Sequence, residues 1–342
     1  MRVFTLDVGS GTQDFLFSDT NDVKTSIKTG KGMKAILPSP TKIIANKIKR
    51  SQHILLHGYT MGGGTNKKAA VEHAKKFKVF CTKKAALSFS DSLKKVESWG
   101  IKIVNSEEDV EEDVEKIEMK DVDWEFFQNI LKVLDVNLSE IISVVAVQDH
   151  GFSIEKSNRK YRFELFEKVL KKGAALSDFL YEMKKVPEYY NRMKSVVESY
   201  LDSGLNGELY VVDTVFAAVA GCKSEVKNFP ALLLNFGNSH FVGIIVNRDG
   251  EITSMFEHHT KVIKNRGKEW IKNFVGKFIR GEIQFEDVYK DGGHGAYVGE
   301  VVDVKEIIST GPRVDLSPFK IVSGDLMITG NIGMFKLLED LV

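Results

Sequence analysis

The amino terminus, MRVFTLDVGSGTQDFLF, is the stretch that most constrains the fold of this chain. Val3 to Val8 alternates enough to predict a β-strand that carries Asp7 near its end. Gly9 and Gly11 can adopt positive φ, so the chain can turn sharply there and direct consecutive N–H groups at one point, as phosphate-binding loops do. A dinucleotide-binding GxGxxG would supply a third glycine and open a helix, whereas here FLF runs straight into the turn residues SDTND. The sequence therefore predicts strand, glycine turn, strand.

The same pattern occurs a second time in residues 231–246, ALLLNFGNSHFVGIIV. A shift of 228 positions aligns the two copies at three pairs of positions, Asp7 with Asn235, Gly9 with Gly237, and Thr12 with His240. Each copy continues into a third alternating stretch, predicted as a strand at Val23 to Lys28 and at Glu251 to Phe256. One glycine turn is weak evidence, but two copies in matching three-strand contexts indicate an internal duplication.

Two such hairpins, in this order and at this separation, resemble the phosphate-1 and phosphate-2 loops of the actin-like ATPase superfamily, which includes actin, the heat-shock chaperones and the sugar kinases. Leu209 to Cys222, LYVVDTVFAAVAGC, is similar to the connect-1 segment, with Asp213 at the acidic position that approaches the metal. Phe319 to Leu338 is similar to the adenosine motif, in which a strand leads through glycines into a helix.

The resemblance implies an α/β fold of duplicated actin-like, ribonuclease H-like ATPase domains around a central cleft. The first domain would span residues 1–205, with a small α/β insertion at about 51–104, and the second would span residues 206–342. ATP and Mg²⁺ would bind in the cleft, with Asp7 and Asp213 holding the metal. The nucleotide would contact glycines and turn residues of three segments, namely Gly9, Ser10, Gly11, Thr12, Gly237, Asn238, Ser239, Gly330 and Gly333.

A buried strand is predicted at Ile141 to Val147, and it ends in the polar residues QDHG. Open α/β sheets place their sites at the carboxyl ends of parallel strands, so Asp149 and His150 are the candidate catalytic residues. In the actin-like interpretation, Asp149 orients a water molecule or an acceptor hydroxyl. The alternative for His150 is a structural hydrogen bond to a loop.

Seven short motifs along the chain resemble a prokaryotic, largely archaeal family whose label connects it to pyruvate formate-lyase activating enzymes. They are DVGSGTQD, GYTMGGG, QDHG, SNRKYRF, EHHT, GGHG and GDLMITG. Those activating enzymes hold an iron–sulfur cluster on three closely spaced cysteines, whereas this chain has only Cys81 and Cys222, 141 positions apart. A cluster on one chain is therefore excluded, and a cluster shared across a dimer would require both cysteines to meet their symmetry mates.

The motif GYTMGGG, Gly58 to Gly64, lies between a predicted strand and a predicted helix. That arrangement offers backbone N–H groups and a helix N-terminus to an anion, although the GK[ST] ending of a nucleotide P-loop is missing. A tight turn packed for structural reasons is the alternative. Arg159 and Arg162 would share one face of a helix, where they suit either an anion or a surface salt bridge.

Histidines accompany carboxylates and glycines in two other motifs, EHHT and DGGHGA. Imidazole is both a common neutral metal ligand and the side chain that titrates near neutrality. Because neighbouring residues of a strand point to opposite faces, at most one of His258 and His259 can share a site with other groups. A metal site would therefore require convergence with Glu257, His294 or other distant residues.

The bulk composition limits the kind of partner. The 342 residues, 43% of them hydrophobic, can form the cores of two domains. Lys and Arg number 48 and Asp and Glu 47, so no electrostatic footprint for nucleic acid or membrane is present. The apolar runs are shorter than the roughly 20 residues of a membrane span, and the two cysteines fit a reducing, cytoplasmic location.

Three functional hypotheses remain open from the sequence. The chain is an ATP-dependent enzyme, a nucleotide-regulated binding protein with little turnover, or an activator of another enzyme. Asn235 favours the second hypothesis, because actin-like ATPases commonly have Asp there. The partners would be a nucleotide and an unidentified small molecule or protein, in an oligomeric state that the sequence leaves open.

Overall fold

The computed structural model describes residues 1–110 and 113–341. Its strands are β1 (Val3–Val8), β2 (Thr12–Ser18), β3 (Gly32–Pro38), β4 (Ile54–Gly58), β5 (Val79–Thr82), β6 (Ile101–Val104), β7 (Glu115–Met119), β8 (Ile142–Val147), β9 (Leu180–Glu182), β10 (Glu208–Val212), β11 (Ala231–Phe236), β12 (His240–Val246), β13 (Ile252–His259), β14 (Gly295–Val298), β15 (Glu306–Thr310) and β16 (Lys320–Ile321). Its α-helices are α1 (Val23–Lys28), α2 (Pro40–Arg50), α3 (Gly64–His73), α4 (Lys83–Ala86), α5 (Leu93–Glu97), α6 (Trp124–Leu131), α7 (Asn158–Leu170), α8 (Asn191–Asp202), α9 (Thr214–Lys223), α10 (Thr260–Lys264), α11 (Gly267–Ile279), α12 (Phe285–Lys290) and α13 (Thr329–Glu339). The predicted α/β class is confirmed.

Two sheets share the same strand arrangement. In the first, β3, β2 and β1 are antiparallel neighbours, and β8 and then β10 continue the sheet parallel to β1. In the second, β13, β12 and β11 are antiparallel, and β15 and β16 continue it parallel to β11. A shift of 228 positions carries β1 onto β11 and β2 onto β12 at both ends of each strand. The two glycine-turn hairpins therefore occupy equivalent places in their sheets.

The third strand of the first sheet was wrongly predicted. Val23–Lys28 forms a helix, because the Asp22 side chain accepts a hydrogen bond from Thr25 N at 3.1 Å and caps its first turn. Val23 and Ile27, four residues apart, both pack against the core from that helix. The third strand is instead Gly32–Pro38, whereas the second sheet has Ile252–His259 close to the predicted position.

The first sheet continues past the boundary expected after residue 205. Strand β10, Glu208–Val212, pairs in parallel with β8, since its apolar residues fill the core of that sheet. The change from the first sheet to the second therefore occurs in the segment between Val212 and Ala231, which contains α9.

The insertion expected at about residues 51–104 corresponds to a separate sheet and is longer than expected. Its strands are parallel and lie in the order β6, β5, β4, β7, so the unit continues to Met119. It has its own core, to which α2 contributes Ile44 and Ile48. Among the described residues, no helix has the length and apolar character to cross a lipid bilayer.

Helices α9 and α13 lie between the two main sheets and share one core with both of them. Their backbones approach closely at two glycines. A Cβ on Gly333 would overlap the carbonyl oxygen of Ala217, and one on Gly221 would overlap that of Thr329. Two alanines of α9, Ala217 and Ala220, are buried in the same helix.

Candidate functional site

The two glycine turns face each other across a cleft of about 640 Å³ between the main sheets. The hydroxyl oxygens of Ser10 and Ser239 lie 3.1 Å apart. Each turn is closed by the same hydrogen bond, from Gly9 N to Thr12 O at 2.9 Å and from Gly237 N to His240 O at 2.8 Å. The turns therefore form two opposing walls of one site.

A larger side chain would crowd the centre of these turns. A Cβ on Gly11 would lie 2.9 Å from Asn238 Nδ2, and one on Gly237 would lie 2.9 Å from His240 O. In the described part of the chain, the N–H groups of Ser10 and Ser239 donate to no protein acceptor. The predicted phosphate-binding residues Gly9 to Thr12 and Gly237 to Ser239 are therefore brought together with free donors between them.

Asp7 lies next to a second carboxylate, Asp14, which was not predicted as a site residue. Asp7 and Asp14 are directly opposite in the β1–β2 register, so their carboxylates share one face of the sheet beside the cleft. One oxygen of each, Oδ1, is buried without a hydrogen-bond partner in the described residues, while Thr12 Oγ1 donates to Asp14 Oδ2 at 3.2 Å. Burial, followed by repulsion from Asp14 and Asp213, raises the pKa of Asp7 to about 8, and burial raises that of Asp14 to about 6. A divalent cation would relieve this repulsion.

Asp213, the other predicted metal ligand, is committed elsewhere. Arg162 donates to both of its carboxylate oxygens, from Nη1 to Oδ2 at 2.5 Å and from Nη2 to Oδ1 at 2.9 Å. The Asp213 carboxylate also accepts from Val215 N at 3.2 Å and so caps helix α9. In this structure a buried guanidinium and backbone N–H groups occupy the Asp213 carboxylate, and its role as a metal ligand stays a prediction.

Asp149 is likewise engaged by the protein. Its Oδ2 accepts from Arg192 N and Met193 N, both at 2.9 Å, and its Oδ1 accepts from Gly151 N at 2.8 Å. These bonds hold the first turn of α8, and burial raises the pKa of Asp149 to about 6. Asp149 lies beside the cleft with three backbone N–H groups donating to its carboxylate, and its catalytic role stays a prediction.

Of the two predicted nucleotide-contacting glycines near the carboxyl terminus, only Gly330 borders the cleft. A Cβ there would collide with the Asp7 carboxylate. Gly333, also in α13, contacts α9 instead, where a Cβ would overlap the Ala217 carbonyl oxygen. The adenosine-like motif is therefore a helix that packs beside β1.

The segment Thr310, Gly311 and Pro312 lines the cleft and was missed. It follows β15, which pairs with β11 as β8 pairs with β1, so it is the counterpart of QDHG. Gly311 has φ of +103°, and a Cβ there would lie 2.5 Å from Asn235 Oδ1. The signal was present in the sequence as a polar, glycine-containing end of an apolar strand.

The GYTMGGG loop lines the opposite side of the cleft and is also packed tightly. Gly62 N donates to Asp121 Oδ1 at 3.2 Å, and a Cβ on Gly63 would overlap Ser88 O. Helix α3 starts at Gly64, so its N-terminus opens onto the cleft. The loop is therefore a tightly packed turn on the wall of the cleft, and its role in binding an anion stays a prediction.

Histidines from separate motifs converge at the floor of the cleft. Ring nitrogens of His150, His240 and His294 lie within 4.8 Å of one another. His259 adds a fourth ring, with its centroid 5.0 Å from that of His240 and 4.8 Å from that of His294. Burial lowers the pKa of His150 well below its usual value and that of His294 to about 2, so these imidazoles are neutral at pH 7.

His258 points away from this cluster, as strand alternation predicts. Its Nε2 lies 3.1 Å from Asp291 Oδ2, and its ring packs edge-on against Trp270. Glu257 faces the cluster and is fully buried, with Oε1 at 2.9 Å from His240 Nδ1. His150 therefore lies beside two other histidine rings, with its centroid 6.2 Å from that of His240 and 6.0 Å from that of His294, and its catalytic role stays a prediction.

A family model matches residues 61–316, and its description is "Putative pyruvate format-lyase activating enzyme (DUF1786)". No curated protein sequence matches this chain. Among solved structures, an exopolyphosphatase from Cytophaga hutchinsonii ATCC 33406 is similar at 10% identity and a TM-score of 0.33, over 92% of this chain and 68% of that one.

Proposed function

The chain belongs to this DUF1786 family, and we propose that it is an actin-like protein that binds ATP with Mg²⁺ in the cleft between its two main sheets. The observation that carries the proposal is the pair of facing glycine turns. Both walls carry free backbone N–H groups, and the hydroxyl oxygens of Ser10 and Ser239 on the two walls lie 3.1 Å apart. Once the walls separate, these N–H groups can hold an anionic group from two sides. A polyphosphate chain is an anion of that kind.

The residues beside the first turn fit a magnesium ion. Asp7 and Asp14 each have a buried carboxylate oxygen without a hydrogen-bond partner in the described residues, and Mg²⁺ prefers carboxylate oxygen together with phosphate and water. The ion would neutralise charge on the phosphates. Asp7 and Asp14 would fix its place, while Thr12 Oγ1 orients the Asp14 carboxylate.

The base and sugar have room along the wall of the cleft formed by Gly311 and Gly330. Gly311 and Gly330 present no side chain there, and Leu326 and Met327 supply apolar surface. This assigns adenosine recognition to the end of β15 and the start of α13, with Gly330 retained from the sequence prediction and Gly333 removed.

The shared strand order supports two duplicated actin-like domains, with the insertion in the first half. We place the first domain at residues 1–212 and the second from residue 231, with α9 connecting them. In this arrangement the glycine turns are equivalent positions of the two domains, which explains why they meet at one cleft.

We propose that turnover is slow and that the nucleotide regulates binding of a second small molecule or a protein. The Asp149 carboxylate accepts hydrogen bonds from three backbone N–H groups, and Asn235 puts an amide where Asp7 has a carboxylate in the other half. Neither side chain can act as a free base beside the phosphates. Cys81 and Cys222 are both fully buried in different cores, which disfavours the cluster chemistry that the family description suggests.

The test is a thermal-shift screen of ATP, ADP and GTP with and without Mg²⁺, followed by calorimetric titration. A ligand at roughly 100 times its dissociation constant should add about 2.7 kcal/mol of stability. Asp7→Asn and Asp14→Asn should each weaken the Mg²⁺-dependent part of binding. Asp19→Asn, which changes an exposed carboxylate paired with Arg2, is the matched control and should bind as the wild type does. No shift with any nucleotide would refute the proposal.

A further inference from the structure

The geometry points to a second site in the same cleft, in which His150, His240 and His294 bind one divalent transition-metal ion. This site is separate from the proposed magnesium position at Asp7 and Asp14, and it does not depend on nucleotide binding. Zinc, or a metal of similar preference such as cobalt, is the chemical class that the ligands select.

Three parts of the chain supply the ligands. His150 follows β8, His240 starts β12 directly after the second glycine turn, and His294 lies in the loop before β14. Their ring nitrogens are all within 4.8 Å of one another. A tetrahedral ion with metal–nitrogen distances of about 2.0–2.1 Å requires somewhat shorter separations, which small ring rotations provide.

His294 shows that the cluster lacks a partner. Its side chain is fully buried, yet neither ring nitrogen has a hydrogen-bond partner in the described residues. A buried imidazole must carry at least one N–H donor or lone pair that water cannot reach, so leaving both nitrogens unpaired costs free energy. A metal bond would satisfy one of them.

Glu257 acts as an orienting group behind the ligands. Its Oε1 lies 2.9 Å from His240 Nδ1, so once Gln148 has moved away an N–H on that nitrogen can donate to the carboxylate and leave Nε2 for a metal. Arg162 Nε holds both Glu257 oxygens, at 3.1 and 3.0 Å, and His294 N donates to the Glu257 carbonyl at 2.8 Å. Carboxylate–histidine pairs of this kind are typical second neighbours of bound metal ions.

Gln148 is the neighbour that must move. Its Nε2 lies 2.5 Å from His240 Nδ1 and 3.3 Å from Nε2, so the carboxamide occupies space beside the ring. Gln148 lines the open cleft, where the side chain can turn into solvent without disturbing the core.

Three imidazole ligands favour zinc and its neighbours over Mg²⁺ or Ca²⁺, which prefer oxygen ligands. His150 and His240 line the cleft, so a fourth coordination position would open into it. Three protein ligands with one open position are the pattern of catalytic zinc sites, in which a bound water becomes acidic. Because His240 begins at the second glycine turn, that water would stand next to the proposed phosphates.

The experiment measures metal content and affinity on the full-length protein. Protein purified without chelator should contain one transition metal per chain by mass spectrometry of the elements. After the metal is removed, Co²⁺ should restore one equivalent of binding with the strong visible absorption of four-coordinate cobalt.

Variants assign the ligands. His150→Ala, at the partly exposed cleft edge, should lose this binding, and Glu257→Gln should weaken it by about 10- to 100-fold. His53→Ala, an exposed histidine of the inserted sheet, is the matched control and should bind as the wild type. Thermal melts in chelator check that each variant is folded.

The inference is overturned if wild-type protein neither contains nor takes up a stoichiometric metal, or if folded His150→Ala binds cobalt unchanged. ATP titration of the metal-stripped protein in Mg²⁺ buffer tests the proposed function separately. Loss of one result with retention of the other therefore shows which of the two ideas fails.

Discussion

Replacing Arg162 with methionine should destabilise the protein strongly, because this guanidinium joins the two halves. It is fully buried and donates to Glu257 of the second sheet, to Asp213 at the end of the first sheet, and to the carbonyl oxygen of Asp149 at 2.6 Å. Methionine has a similar length and no charge, so Arg162→Met removes the cation with little change in volume. It leaves two buried carboxylates without their counter-ion.

The expected loss is about 3–5 kcal/mol of unfolding free energy, the cost of removing one partner from a buried ion pair. Two carboxylates are left unpaired, but one of them can take up a proton instead of remaining charged, so the cost should stay in this range and not double. Adding Asp213→Asn and Glu257→Gln to Arg162→Met removes both charges. The triple variant should therefore recover a large part of the loss.

Urea unfolding at pH 7 with chelator, followed by tryptophan fluorescence and circular dichroism, measures these differences. Arg280→Met is the matched control, because Arg280 pairs with Glu282 on the surface, and it should change stability little. If Arg162→Met is as stable as the control, or if the triple variant is less stable than Arg162→Met alone, the account of this triad is wrong.

Three further predictions concern packing, pH and turnover. Gly333→Ala should lower the melting temperature, since its Cβ would overlap the Ala217 carbonyl oxygen, whereas Gly64→Ala, with no atom within 4 Å, should not; equal melting temperatures would contradict the close crossing. The hydrogen bond from the Lys320 side chain lowers the pKa of the Glu306 carboxyl from 4.5 to about 2. The stability that the ionised Glu306 contributes is therefore present above pH 4.5 and is lost as the pH falls towards 2. Melting curves should thus show an advantage over Glu306→Gln at pH 7 that closes in acid, and a constant gap would refute the assignment. Asn235→Asp should raise the basal rate of ATP hydrolysis with little change in ATP affinity, which phosphate release at saturating ATP and Mg²⁺ measures. If the wild type already hydrolyses ATP fast, or the variant is no faster, the Asn235 amide does not limit turnover.

The sequence predicted the hairpins well because their signal is local. A strand, two glycines and another strand leave one way to fold, and the second copy at a shift of 228 positions repeats both strands to the residue. The segment Val23–Lys28 failed because six residues with apolar positions four apart fit a helical turn as well as a strand, and the Asp22 cap decides between them.

The roles of the carboxylates could not be predicted, because they depend on partners that are distant in sequence. Asp213 is at the expected end of its strand, but its carboxylate forms an ion pair with Arg162, which lies 51 residues earlier. Asp149 is likewise at the expected edge, but its carboxylate accepts hydrogen bonds from backbone N–H groups at the start of α8. Asp14 was identifiable in principle, since the Gly9 turn places it opposite Asp7.

The crossing of α9 and α13 has a mechanical consequence. Both helices are enclosed between the sheets, and at their contact Gly221 meets the Thr329 carbonyl while Gly333 meets the Ala217 carbonyl. Ridges and grooves that would resist rotation are missing at that point. A change in the angle between the sheets therefore meets least resistance as a swivel about this crossing. The two glycines that allow the close contact between α9 and α13 thus also mark the axis about which the two walls of the cleft can rotate apart.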